Sequence, residues 1–331
     1  MKKSKIGDIL KFCIFFGIGI FFIYWFLLKL DAEQKAAIWQ SFLHARYGWV
    51  AAIMAAIMVS HLVRALRWRL LYRPMGYNPR LGNTFGSVVI AYMANLAFPR
   101  LGEVARCATM RTSERIPLDK SLGTVVTERV VDILAFFVIV LIGLVFLYGQ
   151  AQQWLQETLA QRAQTLPAPW LVAVVLAVAI GVGIAGYRLC RRFFGQNRIF
   201  RRVDRFVAGC MDGLRSIFHM GRRNTLLFLL YSGIIYLLYI TAGLFIFYAF
   251  DATRSLGFGA AFVIYLFGSL GMTFSQGGIG LYPVLIQSAL ALYSIDAATG
   301  TAVGWLLWGA QQAIVIVVGL AWLVYFSKSK K

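Results

Sequence analysis

Asn95-Leu96-Ala97-Phe98-Pro99-Arg100-Leu101-Gly102-Glu103 and Ser275-Gln276-Gly277-Gly278-Ile279-Gly280-Leu281-Tyr282-Pro283 are stretches that no ordinary membrane-crossing helix would carry, yet each lies among segments that would. Each sets Gly, Pro and polar side chains beside an apolar run. Proline removes a backbone donor and breaks the helical ladder. Glycine opens backbone conformations closed to other residues. Irregular backbone at membrane depth is tolerated only where protein or a wet cavity satisfies its N–H and C=O groups. Paired broken segments in the two halves of a membrane chain point to a transporter's binding region. The rest of the chain is read outward from this pair.

The 331 residues are 60% hydrophobic and only 14% charged, against roughly a half and a quarter in soluble domains. The expected fold class is therefore all-α, a polytopic integral membrane protein. Lys and Arg number 33 against 13 acidic residues, a net charge of +20. Cytoplasmic loops of membrane proteins gather Lys and Arg, and such loops attract anionic lipid. Nucleic acid is the weakest reading of the excess, and no nucleic-acid partner is expected. Cys13, Cys107, Cys190 and Cys210, with His44, His61 and His219, show no metal-ligand spacing. No metal and no cofactor are expected. The apolar run Ile9–Leu28 follows Lys2, Lys3 and Lys5 but is too long for a signal peptide and lacks a cleavage site. It reads as an uncleaved first span.

Apolar runs of about 20 residues mark membrane helices. They fall at Ile9–Leu28, Trp49–Val63, Ser121–Tyr148, Trp170–Tyr187, Thr225–Phe250 and Thr301–Phe326. The Lys-bearing N-terminal tail, the Arg64–Arg80 loop, the Arg188–Arg223 loop and the C-terminal lysines should be cytoplasmic. Gln150–Ala168, with Arg162 as its sole cation, should lie outside. Six full spans satisfy this and leave Leu81–Pro117 and Leu256–Ile295 over. Each must enter and return on one side, the first from the cytoplasm and the second from outside. Both are therefore expected as re-entrant helical hairpins, giving about eight membrane segments in one domain, residues 1–331. Residues 49–148 and 225–326 would be half-repeats of inverted topology, and 188–223 a basic cytoplasmic loop. The expected location is the cytoplasmic (inner) membrane, multi-pass, with both termini cytoplasmic.

Hairpin one places Asn95, Arg100, Glu103 and Arg106 within about three turns, with Pro99 and Gly102 shaping the backbone. Arginine grips phosphate through two parallel bonds, which lysine cannot. Glu103 would hold an arginine or titrate. The plainer alternative is a loop with ordinary surface charges. Further on, Glu128 and Asp132 share a helix face and Arg129 sits three residues before Asp132. This group is either a structural ion pair or a ligand contact. In hairpin two, Gly277, Gly278 and Gly280 expose backbone amides, and Ser275, Gln276 and Tyr282 add side-chain bonds beside Pro283. Such a cluster serves a mild anion site or close helix packing. Arg64, Arg67, Trp68 and Arg69 read first as interface anchors closing the second span, and otherwise as a hold on a lipid head group.

Three motifs together carry a resemblance. Pro99-Arg100-Leu101-Gly102-Glu103-Val104-Ala105-Arg106, then Glu128-Arg129-Val130-Val131-Asp132, then Gly277-Gly278-Ile279-Gly280 are similar to the flippase-like family of the lysylphosphatidylglycerol synthase transmembrane region. The likeness covers roughly residues 10–326. It implies an inner-membrane protein that moves lipids between leaflets, such as aminoacylated phospholipids or polyprenyl-phosphate carriers. Many members carry Pro before the Gly-Gly pair and Glu shortly after the last Gly. Here Ser275-Gln276 and Tyr282-Pro283 stand in those places. The chain ends five residues after Phe326, so a stand-alone membrane region with no synthase domain is expected.

The leading expectation is a lipid flippase, not an enzyme. Arg100 and Arg106 would bind phosphate in a wet chamber between the hairpin tips, the Gly277–Gly280 amides would contact the other end, and the tails would stay in the bilayer. Membrane lipids are the expected partners. A homo-oligomer and a separate lipid-modifying enzyme are left open as further partners. One alternative is a transporter of a small soluble anion. Another is a membrane-embedded enzyme acting on a lipid phosphate, for which Glu128 with Asp132 offers the sole carboxylate pair.

Overall fold

The computed structural model describes residues 32–97, 101–158 and 220–328. Within these the chain is all-helical, with no strand. The helices are α1 (Ala32–His44), α2 (Tyr47–Tyr72), α3 (Leu81–Ala97), α4 (Leu101–Glu114), α5 (Leu118–Thr158), α6 (Arg222–Ala249), α7 (Phe258–Phe274), α8 (Leu281–Ala291) and α9 (Ala297–Lys328). Tyr47–Met75, Arg222–Ala249 and Ala297–Lys328 are long and apolar enough to cross a membrane. The expected spans Ile9–Leu28 and Trp170–Tyr187 lie outside the described residues, as do Pro99, Arg100 and most of the basic 188–223 loop.

Two compact units emerge: residues 1–122 with 226–331, and residues 123–225. In the second, α5 continues to Thr158 as helix, ten residues beyond the expected end of its span at Tyr148. Gln, Ala, Leu and Glu in that extension are good helix formers, so apolarity ends before the helix does.

The first unit contains both hairpins. α3 and α4 pack antiparallel, as three contacts in step show. The Gly102 amide donates to Asn95 Oδ1 at 2.7 Å, Ser87 Oγ donates to Met110 Sδ at 3.3 Å, and Asn83 Nδ2 donates to Glu114 Oε1 at 2.6 Å. Asn95 thereby satisfies a donor that α4's first turn would leave unpaired. Gly102 permits this closeness, because a methyl there would collide with the Ala91 carbonyl. Gly102→Ala is therefore expected to destabilise the detergent-solubilised protein by about 2 kcal/mol, the usual scale of overpacking, read as a lowered thermal midpoint.

α7 and α8 form the second hairpin. A Cβ on Gly271 would stand 2.8 Å from Tyr282 Cα, and one on Gly268 would stand 2.7 Å from the Tyr282 ring. These small residues let the arms touch and seat Tyr282, which is buried. α2 and α6 run antiparallel, with Trp49 against Tyr248 at one end (ring centroids 4.9 Å apart) and Arg67 bonded to Ser232 at the other (3.0 Å).

α9 is the ruler for both hairpins. Its first half carries hairpin two, with Gly300 against Gln287 and Gly304 against Pro283. Its second half carries hairpin one, with Gly319 against Met93 and Trp322 against Gly82 and Gly86. The hairpins therefore approach from opposite ends of α9. Arms α4 and α8 have 14 and 11 residues, too few for the roughly 20 that cross a bilayer.

Candidate functional site

The hairpin tips meet beside the middle of α9. Gln276 Nε2 donates to the Asn95 carbonyl at 2.9 Å and to the Leu96 carbonyl at 3.1 Å. In a continuing helix the Asn95 carbonyl would look to residue 99, which is proline and has no amide hydrogen to give. One side chain from hairpin two thus finishes hairpin one. Tip two is itself held from α9: Trp308 Nε1 donates to the Gly277 carbonyl at 2.8 Å, and Gln312 Nε2 lies 3.5 Å from the same oxygen.

The backbone of tip two explains its glycines. Gly277, Gly278 and Gly280 have φ of +57°, +80° and +73°, a left-handed path that costs any other residue roughly 1–2 kcal/mol per position. The path is also crowded, since a Cβ on Gly278 would stand 2.6 Å from Met272 Sδ. The amides of Gly278, Ile279 and Leu281 donate to carbonyls within the loop. Toward α9 the turn presents a carbonyl, that of Gly277, rather than an amide. Ser275 is buried and its hydroxyl donates to the Gly271 carbonyl at 2.9 Å. Gln276 is buried at the junction. Among the described residues, the two tips are in direct contact through Gln276.

Next to the junction, a stripe on α2 faces hairpin one. His61, Arg64, Trp68 and Tyr72 recur at three- and four-residue steps, one face of a helix. The His61 ring lies 4.3 Å from the Tyr92 ring of α3, and the Arg64 guanidinium lies 5.6 Å from it. Arg106 of α4 sits 4.6 Å over the Trp68 ring. Tyr72 donates to Ser121 Oγ at 3.0 Å. His61 is fully buried, with neither ring nitrogen hydrogen-bonded. Around the helix, Arg67 is fully buried, bonded to Ser232 and 5.2 Å from the Phe228 ring.

This corrects the sequence reading of Arg64, Arg67 and Trp68 as anchors in a cytoplasmic loop. α2 continues to Tyr72, Arg64 is 8% exposed, and Arg67 and Trp68 are 0% exposed. An arginine stem packs along apolar surface, and its charge rests on aromatic faces. Arg69 remains near the helix end, with Nε donating to the Pro79 carbonyl at 2.8 Å.

Of the expected site residues, Asn95, Gln276, Gly277 and Gly278 come together at the junction. Glu103 is half-buried on α4, and Arg106 is buried one turn further along it. Tyr282 and Pro283 face inward as packing residues on α7 and α9. In the second unit Glu128 is buried, Asp132 half-buried and Arg129 exposed. His61, Tyr92, Trp308 and Gln312 escaped the sequence reading as site residues. Their signal was helix-spaced polar residues inside an apolar run.

Comparison with known proteins now adds a family. The family described as Lysylphosphatidylglycerol synthase TM region matches residues 9–319. The chain belongs to that family. The resemblance carried by the hairpin and Glu128–Asp132 motifs is therefore borne out, and with it a multi-pass membrane protein. Similar to this family member is "Glycosyltransferase AglD" of Haloferax volcanii, 33% identical over 86 residues, covering 26% of this chain and 14% of that protein. So is "UPF0104 membrane protein MJ1595" of Methanocaldococcus jannaschii, 32% identical over 99 residues, covering 28% of this chain and 29% of that protein. The matches thus span 14% and 29% of the two relatives' lengths. No solved structure matches this member of the family.

Proposed function

We propose that this protein is a lipid translocase that passes a phosphate-bearing membrane lipid between leaflets, and that it does so by transport and not by catalysis. The observation that carries the reading is the meeting of two broken hairpins at the middle of α9, each reaching it from a different end. α9 has 32 residues, enough to cross a bilayer with some tilt. Its middle is then near membrane mid-depth, where paired broken helices build transport sites. The antiparallel course of α2 and α6, each preceding a hairpin, is what inverted half-repeats require. Membership of the lysylphosphatidylglycerol synthase transmembrane-region family supports lipid as the cargo.

In this reading the present structure is the closed state. Gln276 and Trp308 hold the tips together, and the Arg106 side of hairpin one supplies the cation for phosphate. Opening would expose Asn95 and Leu96 carbonyls to a head group or water. The protein sits in the cytoplasmic membrane with basic segments facing the cytoplasm.

The test is a leaflet-resolved assay in proteoliposomes, run over a panel of head groups with fixed tails. Movement of an anionic or aminoacylated phospholipid above protein-free vesicles is the expected result. Uptake of a soluble phosphate ester with no lipid movement would replace the reading with anion transport. Chemical turnover of the lipid would replace it with an enzyme.

The opposite-entry geometry has its own check. Thr112, near the end of hairpin one, and Asp296, just after hairpin two, are both exposed. With the native cysteines removed, Thr112→Cys should react with an impermeant thiol reagent from the cytoplasmic side and Asp296→Cys from the other. Labelling of both from one side would end the inverted-repeat assignment.

A further inference from the structure

A cavity of about 460 Å³ opens between α1, tip two and the first half of α9. Ile38, Phe42, Pro283, Val284, Trp305 and Gly309 form most of its wall, and among the described residues no charged side chain lines it. Among the described residues Thr301 brings the single side-chain hydroxyl of the lining. Its size lies in the range of small-ligand sites, but a ligand of that class normally meets several convergent polar groups. This wall has almost none, so a head group, a sugar or a soluble anion would lose its hydration there without replacement. A protein helix is also a poor fit, because one turn about 10 Å across and about 5.4 Å tall already fills roughly 420 Å³. The chemistry that suits the space is a flexible alkyl chain.

We infer that this cavity holds one acyl chain of a membrane phospholipid while tip two is closed. The identification of the occupant rests on the lipid-transport reading, but binding and movement are separable. Trp308 makes the site more than a greasy recess. Its indole forms part of the cavity wall and also donates the hydrogen bond that holds the Gly277 carbonyl. Trp305 packs edge-on against it at 5.6 Å between ring centroids. A seated chain therefore presses on the same indole that fixes the tip, so chain occupancy and tip position are coupled. The tail then takes part in the transport cycle rather than trailing passively in the bilayer.

Gly309 provides the means to test this. A Cβ on Gly309 meets nothing within 4 Å and Gly309 lines the cavity, so Gly309→Leu is the substitution that starts filling it from open space. The probe is a phosphatidylglycerol with a diazirine at the end of one acyl chain, in nanodiscs of phosphatidylcholine containing the full chain. After irradiation, adducts are mapped by peptide mass spectrometry. Adducts at Val284 and Trp305–Gly309 are expected, falling about ten-fold in Gly309→Leu, the loss that follows from displacing a few buried methylenes. Adducts on the exposed face at Val317, Leu320 and Val324 should not change. If Gly309→Leu does not fold, Val284→Trp fills the same space. Adducts confined to the exposed face, or cavity adducts that survive both fillings, would overturn the assignment. Cavity adducts without measurable lipid movement would keep the chain site and sink the translocase reading. Lipid movement without cavity adducts would do the reverse.

Discussion

A chain carrying Leu96→Cys and Gly277→Cys is expected to lose lipid movement completely on oxidation and to regain it with a reductant. A Cβ built on Gly277 stands 3.8 Å from Leu96 Cα, so the two backbones lie close enough for paired cysteines to approach the roughly 4.4–6.8 Å Cα separation of a disulfide. The bridge would replace the Gln276 contacts to Asn95 and Leu96 with a covalent one and hold the closed junction shut. A side chain at Gly277, where φ is +57°, costs about 1 kcal/mol, which the packed hairpin should tolerate. The four native cysteines are first replaced by Ala, and each single variant is carried through the same oxidation. If alternating access requires the tips to part, no other substitution should give so complete and so reversible a block. A double variant shown by mass to be crosslinked, yet moving lipid at its reduced rate, would mean that the tips never separate and that the route lies elsewhere.

The hairpins were legible because their cause is local. Pro99 and Gly102 in one segment, and Gly277, Gly278 and Gly280 in the other, are residues a continuous apolar helix has no use for. Their approach to α9 from opposite ends accords with the opposite entry expected from placing the ten-arginine segment on one side of the membrane. The junction was not legible. Gln276 reaches the Asn95 carbonyl across 181 residues of chain, and neither neighbourhood shows that it needs the other. Arg64 and Arg67 misled for a different reason. The rule that assigns arginines to loops assumes that a buried guanidinium is too costly, yet Tyr92, Phe228 and Ser232 receive these two inside the helix bundle. Counting helix turns from His61 through Trp68 to Tyr72 would have kept the second span going past Val63. The polar pair Gln311-Gln312 inside the last span was a similar unread signal for the point where tip two docks.

Arg106→Ala is expected to lower lipid movement by about 100-fold or more, since truncating one partner of a buried charged contact costs roughly 2–5 kcal/mol and 1.4 kcal/mol is about ten-fold. Arg106 is 5% exposed and its guanidinium lies 4.6 Å over Trp68. Part of the loss could therefore come from the brace alone, because a buried cation over an indole is worth about 2 kcal/mol. Arg106→Lys separates the two roles. Lysine restores a cation over Trp68 but cannot offer the planar fork that grips two phosphate oxygens. If Arg106 binds the head group, the lysine variant should recover most of the thermal stability lost in Arg106→Ala. Its lipid movement should stay low, with half-maximal rate reached only at higher lipid content. If Arg106 only braces hairpin one against α2, stability and rate should return together. A lysine variant with wild-type rate at every lipid content would remove Arg106 from phosphate recognition and leave the cation to another residue of hairpin one.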